Sequence, residues 1–188
     1  MGLLRPGLET LLLATARGVQ FMIKFSVYAD GSSGGGSNQP CGWGWVVLMD
    51  GYPIAAGSGG YHLGTNNVAE LMGAREGLRA LMAHSAFSSL KKEERTVELV
   101  SDSQYVLGLA NGSFSASKNT ALAEHVREIS AKVGASTRWV RGHAGDPLNE
   151  MCDKLAKEGK YAHGGKRPNP KRGARRKKRR KLVDTTVK

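Results

Sequence analysis

The chain has 188 residues, of which 40% are hydrophobic, and a formal net charge of +12 at pH 7. This length predicts one domain of ordinary size with extensions, and it leaves no room for a polymerase. Two distant cysteines, Cys41 and Cys152, exclude a disulfide framework and a cysteine zinc site. No apolar run approaches the ~20 residues that cross a bilayer, so we expect no membrane partner.

The positive charge is concentrated at the C-terminal end of the chain. Residues 162–188 contain twelve Lys or Arg and one acid, whereas residues 1–161 hold sixteen bases and fifteen acids. With few apolar residues, the segment 162–188 is predicted to be a disordered polybasic tail. We interpret it as an arm that binds nucleic-acid phosphates; the alternatives are a solubility tail or a nuclear import signal. The arm residues are Lys171, Arg172, Arg175, Arg176, Lys177, Lys178, Arg179, Arg180 and Lys181.

Residues 1–20 are interpreted as an N-terminal extension. The run Leu11–Leu13 is short, Glu9 lies close before it, and no clear cleavage site follows, which disfavours a secretory signal. Either Met22 is the true start and the extension is not translated, or the extension is disordered. An amphipathic transit peptide is the remaining alternative.

Strand patterns come first in the body of the chain. Residues 21–30 alternate between apolar and polar side chains, which predicts a strand. A glycine-rich turn region, residues 31–40, separates it from a second strand at 42–50. An Asp-Gly pair after the second strand is a hairpin signal, and a third strand follows over 52–63. Three consecutive strands joined by short turns indicate an antiparallel meander.

Helical spacing begins after the third strand. Apolar residues recur with helical spacing between positions 68 and 82, with Asn66 or Asn67 as the candidate N-cap. An Asp-Pro pair at 146–147 supplies the N-cap and first residue of a last helix. The remaining elements are predicted as a strand at 96–101, helices at 103–110 and 120–133, a strand at 137–141 and a helix up to 160. This order predicts the α/β class, with a five-stranded mixed sheet flanked by helices: the antiparallel meander plus parallel fourth and fifth strands.

Four carboxylates lie at element ends where chemistry is possible. Asp30 ends the first strand and Asp102 follows the fourth, so parallel neighbouring strands would place them side by side. Glu70 lies in the first turn of the first long helix, and Asp153 lies two turns into the last helix. Four converging carboxylates repel one another and are sustainable only with cations. Hard oxygen ligands favour Mg²⁺, with Mn²⁺ as a substitute, and two such ions can stabilise a phosphodiester displacement.

Four segments resemble, in the correct order, the motifs of ribonuclease H type 1. They are Tyr28–Ser32, Thr65–Leu71, Ser101–Val106, and Trp139–Gly145 followed by Asn149, Glu150 and Asp153. The match covers about residues 22–159. The resemblance implies an RNase H-like fold with a catalytic domain at 21–161.

The resemblance also implies an activity and roles for named residues. The activity would be that of an endoribonuclease, which hydrolyses the RNA strand of RNA–DNA hybrids by two-metal-ion catalysis and leaves 5′-phosphate and 3′-hydroxyl ends. Asp30, Glu70, Asp102 and Asp153 would hold the two Mg²⁺ ions. His143, on a glycine-flanked loop, would assist proton transfer or product release, a task that suits an imidazole.

Neutral side chains would contact the hybrid, since reading RNA means contacting its 2′-hydroxyls. By resemblance, Asn66, Asn67 and Gln104 would read the minor groove, and Thr65 and Asn119 would hold a phosphate of the DNA strand. The full substrate-binding set comprises Asn38, Thr65, Asn66, Asn67, Gln104, Asn119 and Asn149.

Two features depart from the family pattern. Leu63 stands where an Arg often supports the phosphate pocket, and residues 111–118 form a short Gly/Ser loop in place of a basic protrusion. The basic tail is expected to substitute for that protrusion.

Two other function classes remain as alternatives. One is another nuclease of this fold: an integrase, a Holliday-junction resolvase or a reverse-transcriptase domain. The other is a non-catalytic nucleic-acid binder, which the presence of all four acids disfavours. We expect a monomer that is cytoplasmic in a bacterium or phage-infected cell, or nuclear or mitochondrial in a eukaryote.

Overall fold

The computed structural model describes residues 22–36 and 39–166. The elements are β1 (Ile23–Ser33), β2 (Gln39–Met49), β3 (Tyr52–Gly64), α1 (Asn66–Ala83), α2 (Ser85–Ser88), β4 (Arg95–Ser101), α3 (Gln104–Ala110), α4 (Thr120–Val133), β5 (Ala135–Trp139) and α5 (Pro147–Ala162). A single 3₁₀ turn, Lys92–Glu94, precedes β4.

The five strands form one mixed sheet in the order β3-β2-β1-β4-β5. The β1–β2 and β2–β3 pairs are antiparallel, whereas the β1–β4 and β4–β5 pairs are parallel. The predicted α/β class, with a meander and two parallel strands, is therefore confirmed. In the β1–β4 pair Tyr28 lies opposite Val100, so the two strands end at the same edge of the sheet.

Helices cover both faces of the sheet. On one face, Phe25 and Val27 of β1 pack in a core shared with α1, α3 and α4. On the other face, Tyr28 packs in a smaller core with Val46 and with Cys152 of α5. The alternating side chains of β1 thus supply both cores, which makes β1 the centre of the fold.

The start of α1 corrects one prediction. Asn66 and Asn67 are not N-caps but the first two residues of the helix. The cap is Thr65, whose backbone is extended and whose Oγ1 accepts a hydrogen bond from the Val68 backbone N–H at 3.3 Å. An N-cap needs this non-helical backbone, so the two asparagines are free to point elsewhere. The start of α5 is as predicted, with Asp146 as its N-cap.

The strand ends correct two further predictions. β5 is Ala135–Trp139, two residues earlier than the predicted 137–141, because it pairs along β4 only as far as Ser101. β1 and β2 also continue into the segment predicted as a turn region, with Ser33 pairing with Cys41.

The described part of the chain continues a few residues past α5. The His163 ring lies against the His62 ring, with 5.6 Å between centroids, and the Gly165 N–H donates to the Lys160 carbonyl at 2.9 Å. The rest of the predicted tail, including every arm residue, lies outside the described residues, as does the extension 1–20. Among the helices of residues 22–36 and 39–166, none has the length and apolarity to span a membrane.

The larger core gives a direct test of the packing. Leu78 of α1 is fully buried, so Leu78→Ala should lower the free energy of unfolding by about 2–5 kcal/mol, because apolar burial is reduced and a cavity remains. Leu63→Ala, at a residue that is 64% exposed, is the matched control and should cost about 0.5 kcal/mol or less. Urea denaturation measures both. Equal losses of stability would contradict this account of the core.

Candidate active site

All four predicted carboxylates line one cleft of about 300 Å³ at the edge of the sheet where β1 and β4 end. The residues that line it are Asp30, Gly31, Ser32, Ser33, Asn66, Glu70, Asp102, His143, Asp153 and Lys157. They come from β1, α1, the end of β4, the loop before α5, and α5 itself. The fold therefore brings together side chains that are spread over most of the described sequence.

Asp30 is the most buried of the four, with 7% of its surface exposed. Its Oδ1 accepts a hydrogen bond from the Gly31 backbone N–H at 2.7 Å. Burial, and after it the negative charges of Asp102, Asp153 and Glu70, together raise the pKa of Asp30 from its ordinary 3.8 to about 7. The ionised form of Asp30 is therefore disfavoured both by loss of water and by its acidic neighbours.

Glu70 lies one turn into α1 and is held by two neutral donors. Ser103 Oγ donates to Glu70 Oε2 at 2.5 Å, and Asn66 Nδ2 donates to Oε1 at 2.6 Å. Burial raises the pKa of Glu70, and these two hydrogen bonds oppose the rise. The position of Glu70 also requires a glycine at residue 31, because a Cβ at Gly31 would lie 2.3 Å from the Glu70 backbone nitrogen. The absence of a side chain at position 31 therefore lets α1 approach β1 closely enough to bring Glu70 beside Asp30.

Asp102 and Asp153 complete the set from opposite sides. The Asp102 carbonyl accepts a hydrogen bond from Trp139 Nε1 at 3.0 Å, which ties the end of β4 to the end of β5. Asp153 Oδ2 forms an ion pair with Lys157, one turn later in α5.

His143 lines the cleft from the loop between β5 and α5. Its backbone lies in the left-handed region, with φ of 53°, and Gly145 in the same loop has φ of 91°. The imidazole is exposed. Gly142 packs directly on Asp102, because a Cβ there would lie 2.4 Å from Asp102 Oδ2. The loop therefore approaches the carboxylates through its glycine and presents His143 at the rim.

Comparison with known proteins agrees with this arrangement. The family model for RNase H matches residues 23–161. The chain belongs to the RNase H family. A ribonuclease H of Maricaulis maris is 31% identical over 160 residues, which are 78% of this chain and all of that relative. As a member of the RNase H family, the protein is a nuclease.

Solved structures of the RNase H family share the fold. RNase H1 of the archaeon Halobacterium salinarum has a TM-score of 0.57 and 27% identity, over 72% of this chain and 96% of that one. LC11-RNase H1, solved in complex with an RNA/DNA hybrid, has a TM-score of 0.60 and 22% identity, over 73% of this chain and 97% of that one. At this identity, the second likeness concerns the fold alone.

The residues expected to contact substrate lie in different settings. Asn67 and Gln104 are exposed in the first turns of α1 and α3, whereas Asn66 is engaged with Glu70. Thr65 is occupied as the N-cap of α1. Asn119 is exposed before α4, with a left-handed backbone at φ of 55°.

Two other residues predicted to bind substrate stand apart from this set. Asn38 lies outside the described residues. Asn149 is only 2% exposed and does not line the cleft, so the structure does not bring it together with the four carboxylates. Its role in substrate binding stays a prediction. Its position in the first turn of α5 turns the side chain into the protein, where its Oδ1 has no hydrogen-bond partner.

The donor set fits a divalent cation by its chemistry. Across residues 22–36 and 39–166, no three His, Cys, Asp or Glu side chains are arranged to hold a metal ion as they stand. The carboxylate oxygens of Asp30, Glu70 and Asp153 instead accept hydrogen bonds, from Gly31, Asn66, Ser103 and Lys157. Four carboxylates nevertheless line one cleft, and burial together with the neighbouring charges raises the pKa of Asp30. A bound cation would offset this cost, and carboxylate oxygens are the ligands that Mg²⁺ and Mn²⁺ prefer.

Sequence reasoning missed two residues of the site, Ser103 and Lys157. Ser103 directly follows Asp102 and is the N-cap of α3, a position that the serine before a helical pattern signals. Lys157 lies four residues after Asp153, the spacing at which helical side chains pair. Both signals are present in the sequence, but the cap signal at Ser103 does not reveal that its hydroxyl bonds to Glu70.

The raised pKa of Asp30 predicts a pH dependence of stability in the metal-free protein. Below pH 3.8 the carboxyl is protonated in the folded and unfolded states, so it contributes no penalty. Between 3.8 and about 7 the unfolded chain loses its proton first, so the folded state is progressively penalised, and above about 7 the penalty is complete.

Asp30→Asn should remove this penalty. In EDTA above pH 7 the variant should be more stable than the natural chain by on the order of a few kcal/mol, and its stability should vary less between pH 4 and 7. Chemical denaturation at a series of pH values measures this, with Glu93→Gln as the control at an exposed carboxylate. Parallel profiles for the natural chain and Asp30→Asn would show that Asp30 has an ordinary pKa.

Proposed function

We propose that this RNase H family protein is an endoribonuclease that hydrolyses the RNA strand of RNA–DNA hybrids. The observation that carries the proposal is the convergence of Asp30, Glu70, Asp102 and Asp153 in one cleft. Its support comes from relatives named ribonuclease H, one of which matches over its whole length. A structure of the same fold is solved with an RNA/DNA hybrid, which is the substrate proposed for this chain.

The proposed mechanism uses two divalent cations, Mg²⁺ with Mn²⁺ as a substitute, held by Asp30, Glu70, Asp102 and Asp153. When bound, such ions stabilise the charge that develops on the attacking and leaving oxygens of a phosphodiester displacement. The products would be 5′-phosphate and 3′-hydroxyl ends. The leaving 3′-oxygen then needs a proton.

The chain's own residues orient the carboxylates and move the proton. The Gly31 N–H holds Asp30, while Ser103 and Asn66 hold both oxygens of Glu70. These donors are neutral, so they fix each carboxylate without cancelling its charge. His143, which lines the cleft and is exposed, would exchange a proton with solvent and with the leaving oxygen or assist product release.

Discrimination between RNA and DNA would depend on neutral side chains beside the carboxylates. Asn67 and Gln104 are exposed in the first turns of α1 and α3, and amides donate to and accept from 2′-hydroxyls. Thr65 and Asn119 would contact a phosphate of the DNA strand. Because α1 carries Asn66, Asn67 and Glu70, recognition of the substrate and catalysis would share one helix.

The proposed activity is tested with a labelled RNA–DNA hybrid in the presence and absence of Mg²⁺. We expect metal-dependent cutting of the RNA strand alone, and no cutting of duplex DNA, duplex RNA or single-stranded RNA. Asp102→Asn should lower the rate by on the order of a hundredfold or more, because an amide is a poor ligand for a hard cation. Glu93→Gln, an exposed carboxylate outside the cleft, should cut normally. Binding of the hybrid without cutting in Mg²⁺ or Mn²⁺ would instead indicate a non-catalytic binder.

We further propose that the basic tail is an arm for nucleic acid and that the protein acts as a monomer. The body carries almost no net charge, so the tail is the main source of long-range attraction to phosphate. Residues 111–118 contain a single base, Lys118, which leaves the body with little basic surface of its own in that loop. The cellular compartment stays a prediction from the sequence.

A chain ending at Lys166 tests the arm, because it keeps the contacts of His163 and Gly165. Its affinity for the hybrid should fall, and the slope of log K against log[salt] should flatten by about 0.9 for each phosphate that the tail no longer neutralises. The turnover rate at saturating hybrid should stay the same. A full-length chain with the nine arm residues changed to Gln should behave like the truncation. An unchanged salt slope in both would show that the tail does not bind the hybrid.

A further inference from the structure

A cation of the protein itself lies in the proposed active site. In the part of the chain that the structure describes, Lys157 is the only Lys or Arg that lines the carboxylate cleft. It forms an ion pair with Asp153 Oδ2; the Asp153 side chain is 16% exposed and that of Lys157 is 41% exposed. Their i, i+4 spacing in α5 places both on one face of the helix, so this encounter is fixed by the helix and does not depend on a loop.

The ion pair with Lys157 distinguishes Asp153 from Asp30 and Glu70, whose hydrogen-bond donors are neutral. Asp30 is held by a backbone N–H, and Glu70 is held by a hydroxyl and an amide. These neutral donors leave the negative charges of Asp30 and Glu70 in place. In contrast, the ammonium of Lys157 compensates the charge of Asp153.

The next lysine on the same face of α5 is directed elsewhere. Lys160 Nζ donates to Ser32 Oγ at 2.7 Å and to the Ser33 carbonyl at 3.4 Å, at the end of β1. Lys160 therefore ties α5 to β1, and its ammonium is engaged outside the carboxylate set. The charge of Asp153 also acts on Lys160, but within residues 22–36 and 39–166 only Lys157 both lines the cleft and forms an ion pair with one of its four acids.

We propose that Lys157 competes with a divalent cation for Asp153. The ammonium of Lys157 would thereby raise the metal concentration at which a cation binds to Asp153. The inference rests on the proposed metal-dependent function. A partly exposed Lys–Asp pair is weak, so a divalent ion can displace the ammonium, but each displacement costs the energy of that pair. The side chain of Lys157 can swing away on its long stem while Asp153 stays in place on the helix.

The experiment measures Mg²⁺ binding to the full-length chain by isothermal titration calorimetry, without substrate. Lys157→Met keeps the aliphatic stem and removes the charge, and it should bind Mg²⁺ about threefold more tightly or better. Lys157→Arg keeps a cation and should bind like the natural chain. Lys154→Met is the matched control: it removes a lysine of the same helix that is exposed and does not line the cleft, and it should change affinity by less than about twofold.

A second readout is the Mg²⁺ concentration that gives half-maximal cutting of a labelled hybrid. For Lys157→Met this midpoint should move to lower Mg²⁺, in step with the calorimetric affinity. Unchanged affinity in Lys157→Met, an equal change in Lys154→Met, or no Mg²⁺ binding by Lys157→Met over the millimolar range would each overturn the inference. Cutting by the natural chain, measured in the same series, decides the proposed function separately, so the two failures are distinguishable.

Discussion

Repulsion between carboxylates in one cleft is the constraint on which the rest of the structure depends. Asp30 lies three residues before the end of the central strand and is nearly excluded from water, while three further acids approach it from other elements. Such a cluster persists only because it is held by structure that is stable for other reasons. The two cores on either face of β1 supply that stability, since Ala29 and Tyr28, the two residues before Asp30, are each buried in one of them.

Local backbone choices decide how close the acids come. The first turn of α1 packs on Gly31 and is capped by Thr65, which sets the depth at which Glu70 enters the cleft. The loop before α5 likewise lies against Asp102 through Gly142. In both places the small size of a glycine, rather than a strong attraction, allows two elements to approach. Packing of the backbone therefore brings the acids together, and neighbouring hydrogen-bond donors then stabilise Asp30 and Glu70 in these positions.

Much of this arrangement is readable in the sequence because it depends on short-range patterns. Alternation in β1 and the acid after β4 predict that Asp30 and Asp102 end parallel strands, and their shared edge is a direct consequence. The sequence predictions are wrong or incomplete where a feature depends on residues that are close in space but distant in sequence. The end of β5 depends on where β4 stops, and the burial of Asn149 depends on the packing of α5. One of the two partners of Glu70 is Ser103, thirty-three residues away, and no local pattern reveals this contact.

The last described residues turn back onto α5, with Gly165 bonded to Lys160 and His163 packed on His62. This closure ends α5 before the strongly basic sequence begins, so the described body has a C-terminal boundary of its own. Asp153 lies two turns into α5, away from this boundary, and its place is set by the helix itself. Under the role proposed for the basic segment, a gain or loss of bases there would adjust affinity for nucleic acid, while the position of the acid would be inherited with the helix.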